Sequence, residues 1–136
     1  MLATGVDIVA IERFNGKAAD AAFLERLLTE NEAAEVGALP HAERQIAVRF
    51  AAKEAVMKAL GTGWDKGVGW RDIEVVTAFD AGGTAGRGLC VTLHGRAKAL
   101  AKDSPVFLSV SHTNGFAAAF AIMEGPDEVP DNNPRL

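Results

Sequence analysis

The sequence predicts an α+β domain: a small, mostly antiparallel sheet with a long central helix and further helices packed on one side. Three observations predict it. A short strand-like run near the N-terminus gives way to helical spacing of apolar residues. An almost wholly apolar stretch over residues 46–60 is too long for a strand and fits a buried helix. Beyond residue 72, four runs alternate apolar and polar side chains, with one short helical segment among them. Strands and helices that fall in separate runs of the chain indicate α+β rather than a doubly wound parallel sheet.

Taken in order, residues 3–9 form the first strand, with Val6 and Ile8 on one face and Asp7 on the other. Aspartate is depleted in strands. Asp7 is therefore either an edge residue facing water or a residue with a task. Residues 10–28 carry Ile11, Phe14, Phe23, Leu24, Leu27 and Leu28 at helical spacing, as one helix or as two short ones broken at Asn15-Gly16. Thr29-Glu30-Asn31-Glu32 fits a capping box that opens a helix over residues 30–37, ended by Gly37 and Pro40. His41 falls in the following connection and reads as a surface residue.

The central helix spans about Ile46 to Leu60. Four charges interrupt it: Arg49, Lys53, Glu54 and Lys58. Charged groups are rarely buried without partners, so these four require ion pairs, a metal, a ligand or a cleft. Glu54 and Lys58 are spaced i, i+4 and share a face, which is equally the pattern of an ordinary helical ion pair. Gly61 and Gly63 stop the helix and open a glycine-rich loop to Gly69. Without a Gly-Lys-Ser/Thr ending or a preceding strand this loop is not a P-loop. Trp64 and Trp70 beside it either pack on the core or face a ligand.

Residues 72–79 and 87–93 read as strands joined by a turn at Asp80-Ala81-Gly82-Gly83, and residues 95–103 as a short helix. The run Val106 to Ser111 then turns at Thr113-Asn114-Gly115 and returns as a last strand from Phe116 to Met123. Asn-Gly between two alternating runs is a strong hairpin signal. His112 and Thr113 sit beside this turn, either as plain surface and capping residues or, with Ser109 and Ser111, as a seat for a phosphate. Residues 1–124 are read as the domain. Residues 125–136, with three of the five prolines, read as a flexible tail.

Composition narrows the function. The chain has 136 residues, enough for one domain with a real core. A net charge of −4 argues against general nucleic-acid binding, which needs a basic footprint. It leaves room for a small phosphorylated ligand held by local cations. The single cysteine, Cys90, excludes a disulfide framework and reads as a buried, inert thiol. With no run long and apolar enough for a membrane span, and no signal-peptide pattern at the N-terminus, the expected location is the cytoplasm.

Three motifs, in order, carry a resemblance. Gly5-Val6-Asp7-Ile8-Val9, then Arg49-Phe50-Ala51-Ala52-Lys53-Glu54-Ala55-Val56-Met57-Lys58-Ala59 with Gly61-Thr62-Gly63, then Leu108-Ser109-Val110-Ser111-His112-Thr113 resemble the holo-acyl-carrier-protein synthases. These are the short bacterial type of 4′-phosphopantetheinyl transferase. The resemblance covers roughly residues 1–123 and implies that family's fold. It implies transfer of the phosphopantetheine arm of coenzyme A to a serine of apo acyl carrier protein, with adenosine 3′,5′-bisphosphate as the other product. It further implies magnesium held by Asp7 and Glu54, with Asp7, Glu54 and Lys58 as the catalytic residues. Coenzyme A would be contacted by Arg49, Lys58, Gly61, His112 and Thr113. Arg13, Lys17 and Arg26 would dock the acidic carrier, diluted by Glu12, Asp20 and Glu25. A cytoplasmic homotrimer serving fatty-acid biosynthesis, with active sites between protomers, completes the expectation. The alternative is a non-catalytic module that binds nucleotide phosphates.

Overall fold

A computed structural model describes residues 2–61, 67–79, 81–83 and 85–124. The expectations for Thr62, Gly63, Trp64 and the tail at 125–136 lie outside the described residues. In chain order the elements are β1 (Leu2–Ala10), two 3-10 turns (Ile11–Phe14 and Lys17–Ala19), α1 (Ala21–Leu27), α2 (Glu30–Ala38), α3 (Ala42–Ala59), a 3-10 turn (Trp70–Asp72), β2 (Ile73–Phe79), β3 (Ala85–Leu93), α4 (Gly95–Ala101), β4 (Val106–His112) and β5 (Phe116–Glu124). The fold is α+β, as expected.

The strands form two sheets rather than one. β1, β5 and β4 make a three-stranded antiparallel sheet in the order β1-β5-β4, and β2 pairs with β3 in a separate ribbon. The N-terminal strand thus lies beside the C-terminal one, with Leu2 opposite Glu124 and Ala10 opposite Phe116. Alternation gives each strand its two faces. It is silent on which strand is a neighbour when more than a hundred residues intervene.

α3 covers one face of the three-stranded sheet. It starts four residues before the expected Ile46, because Ala42 to Gln45 form a first turn that the apolar pattern does not mark. Its apolar residues are wholly buried from Ile46 to Val56, apart from Phe50 and Val48. Across from it lie Val9, Ala117, Ala119, Ala121 and Met123, all buried. Alanines on both sides keep the interface thin, and β1 and α3 come closest at Gly5. A Cβ there would stand 1.9 Å from the Ala55 carbonyl oxygen and 2.8 Å from the Ala59 nitrogen. Only glycine fits at this crossing.

Two of the four charges on α3 are structural. Lys53 is wholly buried and its ammonium donates to the Leu27 carbonyl at 2.7 Å, to Glu32 Oε1 at 2.7 Å and to the Trp70 carbonyl at 2.9 Å. All three of its donors are satisfied by protein. Burial pushes its pKa down from 10.5, and Glu32 is the main group pulling it back. Arg49, also wholly buried, donates to Glu35 Oε1 at 2.8 Å and to the Gln45 side chain at 2.9 Å. Glu32 closes the expected capping box with Thr29 and also accepts from the Val75 amide at 3.1 Å. Glu35 binds the amide and hydroxyl of Thr77. Two acids three apart on α2 therefore fasten two cations four apart on α3 and the start of β2.

The Asn15-Gly16 break is present, with Gly16 at φ +78°. Cys90 departs from expectation: it is exposed, not buried. It pairs with Val76 in the two-stranded ribbon, and a ribbon buries only the face that meets the core.

Candidate active site

The pleat of β1 places Gly5, Asp7 and Val9 on the face toward α3, and Val6 and Ile8 on the outer one. Asp7 follows the glycine crossing by two residues, so the close approach at Gly5 sets it directly against the helix. One turn apart on α3, Glu54 and Lys58 face it. The Lys58 ammonium donates to the Val6 carbonyl at 2.8 Å and to Asp7 Oδ1 at 3.2 Å. Lys58 remains about half exposed, while the Asp7 side chain is only 18% exposed. The Glu54 carboxyl is raised above the ordinary 4.5, first by desolvation and then by the charge of Asp7, with Lys58 and Arg13 pulling the other way.

The sequence-derived trio Asp7, Glu54 and Lys58 is thus one cluster, assembled from residues some fifty positions apart. Two carboxylates that repel each other at the rim of a helix–strand cleft are a hard-oxygen donor set of the kind a divalent cation relieves. Among the described residues no group of three or more histidine, cysteine, aspartate or glutamate side chains is placed to hold a metal. A cation here would draw its other ligands from water and substrate phosphate, as magnesium commonly does.

The other named residues divide. Gly61 stands at φ +69° and its amide donates to the Lys58 carbonyl at 3.0 Å, so it closes α3 next to Lys58. His112 lies on the same sheet face as Asp7. It is opposite Ala117, which is opposite Val9. Two strand spacings and two residues of rise put it ~12 Å from Asp7, exposed at the strand end. Thr113 follows it in the turn, where its hydroxyl accepts from the Gly115 amide at 3.3 Å and the Phe116 amide at 3.2 Å. Arg49 stands apart from them: it is buried in the α2–α3 interface, where Glu35 and Gln45 pair it.

On the other side of the cluster, the Arg13 guanidinium lies 4.7 Å from the centre of the Phe50 ring. Lys17 lies 5.2 Å from the Phe23 ring and 3.7 Å from Asp20. Arg26 lines a cleft of about 530 Å³ whose walls include Phe23, Phe50, Trp70 and Arg71. Phe50 and Trp70 stack with centroids 5.0 Å apart. Of the three cations expected to dock the carrier, Arg26 therefore lines this aromatic cleft, while Arg13 and Lys17 lie against the Phe50 and Phe23 rings that wall it. The residues sequence reasoning missed are those that build this cleft, together with Gly5.

Comparison with known proteins agrees with this geometry. The model of the 4′-phosphopantetheinyl transferase superfamily matches residues 3–121. A holo-[acyl-carrier-protein] synthase of Geobacter sulfurreducens is 38% identical over 128 residues, covering 90% of this chain and 97% of the relative. The crystal structure of a holo-(acyl-carrier-protein) synthase from Bacillus anthracis in complex with CoA (3′,5′-ADP) superimposes with a TM-score of 0.70 at 34% identity, covering 91% of this chain and 96% of that one. The synthase from Neisseria meningitidis superimposes with a TM-score of 0.74 at 31% identity, covering 90% and 97%. Motif order, fold and the Asp7–Glu54–Lys58 cluster converge on one assignment: the chain belongs to the 4′-phosphopantetheinyl transferase superfamily, among the holo-acyl-carrier-protein synthases.

Proposed function

We infer that this protein transfers the 4′-phosphopantetheine group of coenzyme A to a serine hydroxyl of an apo acyl carrier protein, releasing adenosine 3′,5′-bisphosphate. The observation that carries the reading is the cluster of Asp7, Glu54 and Lys58 at the glycine crossing, in a chain of this family. The serine oxygen forms a bond to the phosphorus that bears the pantetheine arm. The bond from that phosphorus to the oxygen bridging to the nucleotide breaks, and the serine proton passes to a base. Such a transfer needs charge neutralisation and alignment more than covalent chemistry.

Asp7 and Glu54 would hold magnesium, which when bound offsets the charge of the diphosphate. Lys58, half exposed beside Asp7, would reach the phosphate under attack and stabilise the leaving oxygen. Glu54, directly or through a metal-bound water, would take the serine proton. Gly61, His112 and Thr113 would meet the rest of coenzyme A. Arg13, Lys17 and Arg26 would hold acidic residues of the carrier, while the aromatic cleft between them receives an apolar side chain from the same surface.

Homotrimer formation is supported by an apolar outer sheet face that a lone chain leaves in water. Leu2, Val6 and Ile8 on β1, Phe116 and Phe120 on β5 and Phe107 on β4 are each between 43% and 67% exposed. The expected setting is cytoplasmic fatty-acid biosynthesis; no described helix is long and apolar enough to cross a membrane.

The test is intact-mass spectrometry of an apo acyl carrier protein incubated with this protein, coenzyme A and magnesium, with a parallel sample in EDTA. A gain of one phosphopantetheine group that the chelator abolishes supports both the reaction and the metal. Coenzyme A binding without transfer to any of several carriers favours a non-catalytic module instead. Sedimentation of the wild type against Val6→Asp tests assembly: a trimer reduced to monomers is expected, and a monomeric wild type refutes it.

A further inference from the structure

We propose that Lys53 is a positioning residue for the carrier protein: its ammonium fastens two backbone walls of the aromatic cleft to the turn of α3 that bears Glu54, and so sets where the carrier docks relative to the reacting groups. The proposal rests on the transferase reading and on the cleft as the carrier's seat.

The bonds of Lys53 reach the cleft from inside the molecule. One goes to the Leu27 carbonyl at 2.7 Å, at the last residue of α1. Another goes to the Trp70 carbonyl at 2.9 Å. Leu27 and Trp70 belong to different walls. Phe23, Arg26 and Leu27 come from α1, Gly69 to Asp72 from the turn before β2, and Phe50 from α3 itself. One ammonium thus joins all the elements that line the cleft. The last carbonyls of a helix have no partner within it and attract a cation, and Lys53 meets that need for α1. The Trp70 turn has further bonds, from the Gly69 amide to Asp72 Oδ2 at 2.9 Å and from the His94 amide to the Asp72 carbonyl at 2.7 Å. Those tie the turn to itself and to the start of α4, whereas Lys53 ties it to α3.

α3 is the ruler between cleft and active site. Phe50 is one turn before Glu54, ~6 Å along the axis, and Lys58 is one turn beyond. Lys53 lies within the first of these turns, wholly buried. Arg13 spans the same interval: its guanidinium lies 4.7 Å from the centre of the Phe50 ring, and its charge reaches the Glu54 carboxyl. A charge partner for Glu32 does not by itself explain the lysine, because apolar residues often replace a buried ion pair without loss. The two main-chain carbonyls are what an apolar replacement cannot serve. Unpaired in the interior they cost free energy until they find another donor or water. α1 and the Trp70 turn would then shift away from α3, and the seat of the carrier would shift with them.

The experiment compares wild type, Glu32→Gln and the double variant Lys53→Met/Glu32→Gln, each well below its own Tm. Both variants lose the ion pair, and only the second loses the bonds to the two carbonyls. Glu32→Gln should melt lower yet keep KM for the carrier within about twofold of wild type. The double variant should raise that KM about 10-fold, the effect of one lost anchor contact, with calorimetric affinity for coenzyme A within about twofold. A Lys53 that only stabilises the fold would move the carrier KM in step with Tm in both variants, or in neither, and either result overturns the proposal. Should the double variant fail to fold, Lys53→Arg decides. It keeps the charge beside Glu32 but puts a larger planar fork where the compact ammonium met both carbonyls, so the carrier KM should rise, and an unmoved KM overturns the proposal. A wild type that modifies no carrier sinks the transferase reading and this proposal with it. Normal transfer with an unmoved carrier KM in the double variant sinks this proposal alone.

Discussion

Replacing Gly5 with alanine tests whether the strand–helix crossing sets the active site. The new Cβ would meet the Ala55 carbonyl oxygen at 1.9 Å, about 1.5 Å short of a normal contact. The obstacle is helix backbone, which cannot swing aside as a side chain does. β1 must lift from α3, and Asp7, two residues on, moves with it. Overpacking of this kind costs ~1–3 kcal/mol, which in a chain of this size lowers Tm by roughly 4–12 °C. The catalytic cost should be larger. A misplacement of ~1 Å among reacting groups can cost ~100-fold in rate, and here it would separate Asp7 from both Glu54 and Lys58. The assay pairs thermal melting with kcat/KM for phosphopantetheine transfer by intact mass. Gly37→Ala on α2 is the control, because a Cβ there meets nothing within 4 Å; it should be neutral or slightly stabilising. A Gly5→Ala enzyme that melts within a degree of wild type and keeps kcat/KM within threefold would refute the argument.

Other expectations follow from the same contacts. Lys53→Met strands the buried Glu32 carboxylate and should cost ~3–5 kcal/mol in urea unfolding, with part recovered by adding Glu32→Gln; a loss under ~1 kcal/mol would show that the ammonium is dispensable. Glu54→Gln should cut transfer by ~100-fold or more without lowering Tm, and near-normal turnover would remove Glu54 from the mechanism. Because burial and Asp7 raise the Glu54 carboxyl above 4.5, the folded state holds that proton more tightly than the unfolded chain does. Its contribution to stability in metal-free protein is therefore complete below about pH 4.5 and is lost as pH rises through the raised value; Glu54→Gln should flatten that segment of a Tm–pH profile. Arg13→Glu should raise KM for the carrier and weaken its salt dependence more than it lowers kcat, and an unchanged KM would exclude Arg13 from docking.

The four charges of α3 show how one sequence feature splits into two roles in space. Arg49 and Lys53 point back toward α2, where Glu35 and Glu32 pair them, and they lock the helix in place. Glu54 and Lys58 point toward β1, where, among the described residues, Asp7 is the carboxylate opposite them, and a surplus of acid results. The first pair fixes the orientation of the helix that presents the second. Loss of a buried pair would therefore be felt in catalysis as well as in stability.

By itself the sequence determined the elements, the α+β class and the three residues, Asp7, Glu54 and Lys58, that the structure brings together. Apolar periodicity fixes which face of a strand or helix is buried, the Thr29–Glu32 capping box fixes where α2 starts, and Asn114-Gly115 fixes the last hairpin. Four charges on an apolar helix and an aspartate in a strand were visible as anomalies, and their motif spacing named the family. Only the tertiary structure decided the partners. Local patterns are blind to pairings across long stretches of chain, so the neighbour of β1, the split into two sheets and the placing of Asp7 against Glu54 could not be read from spacing. The same holds for Arg49 and Lys53, whose chemistry suits a phosphate and a carboxylate equally well. Burial beside Glu35 and Glu32 made them structural, because an unpaired charge in that interface would cost more than any ligand contact outside it could return.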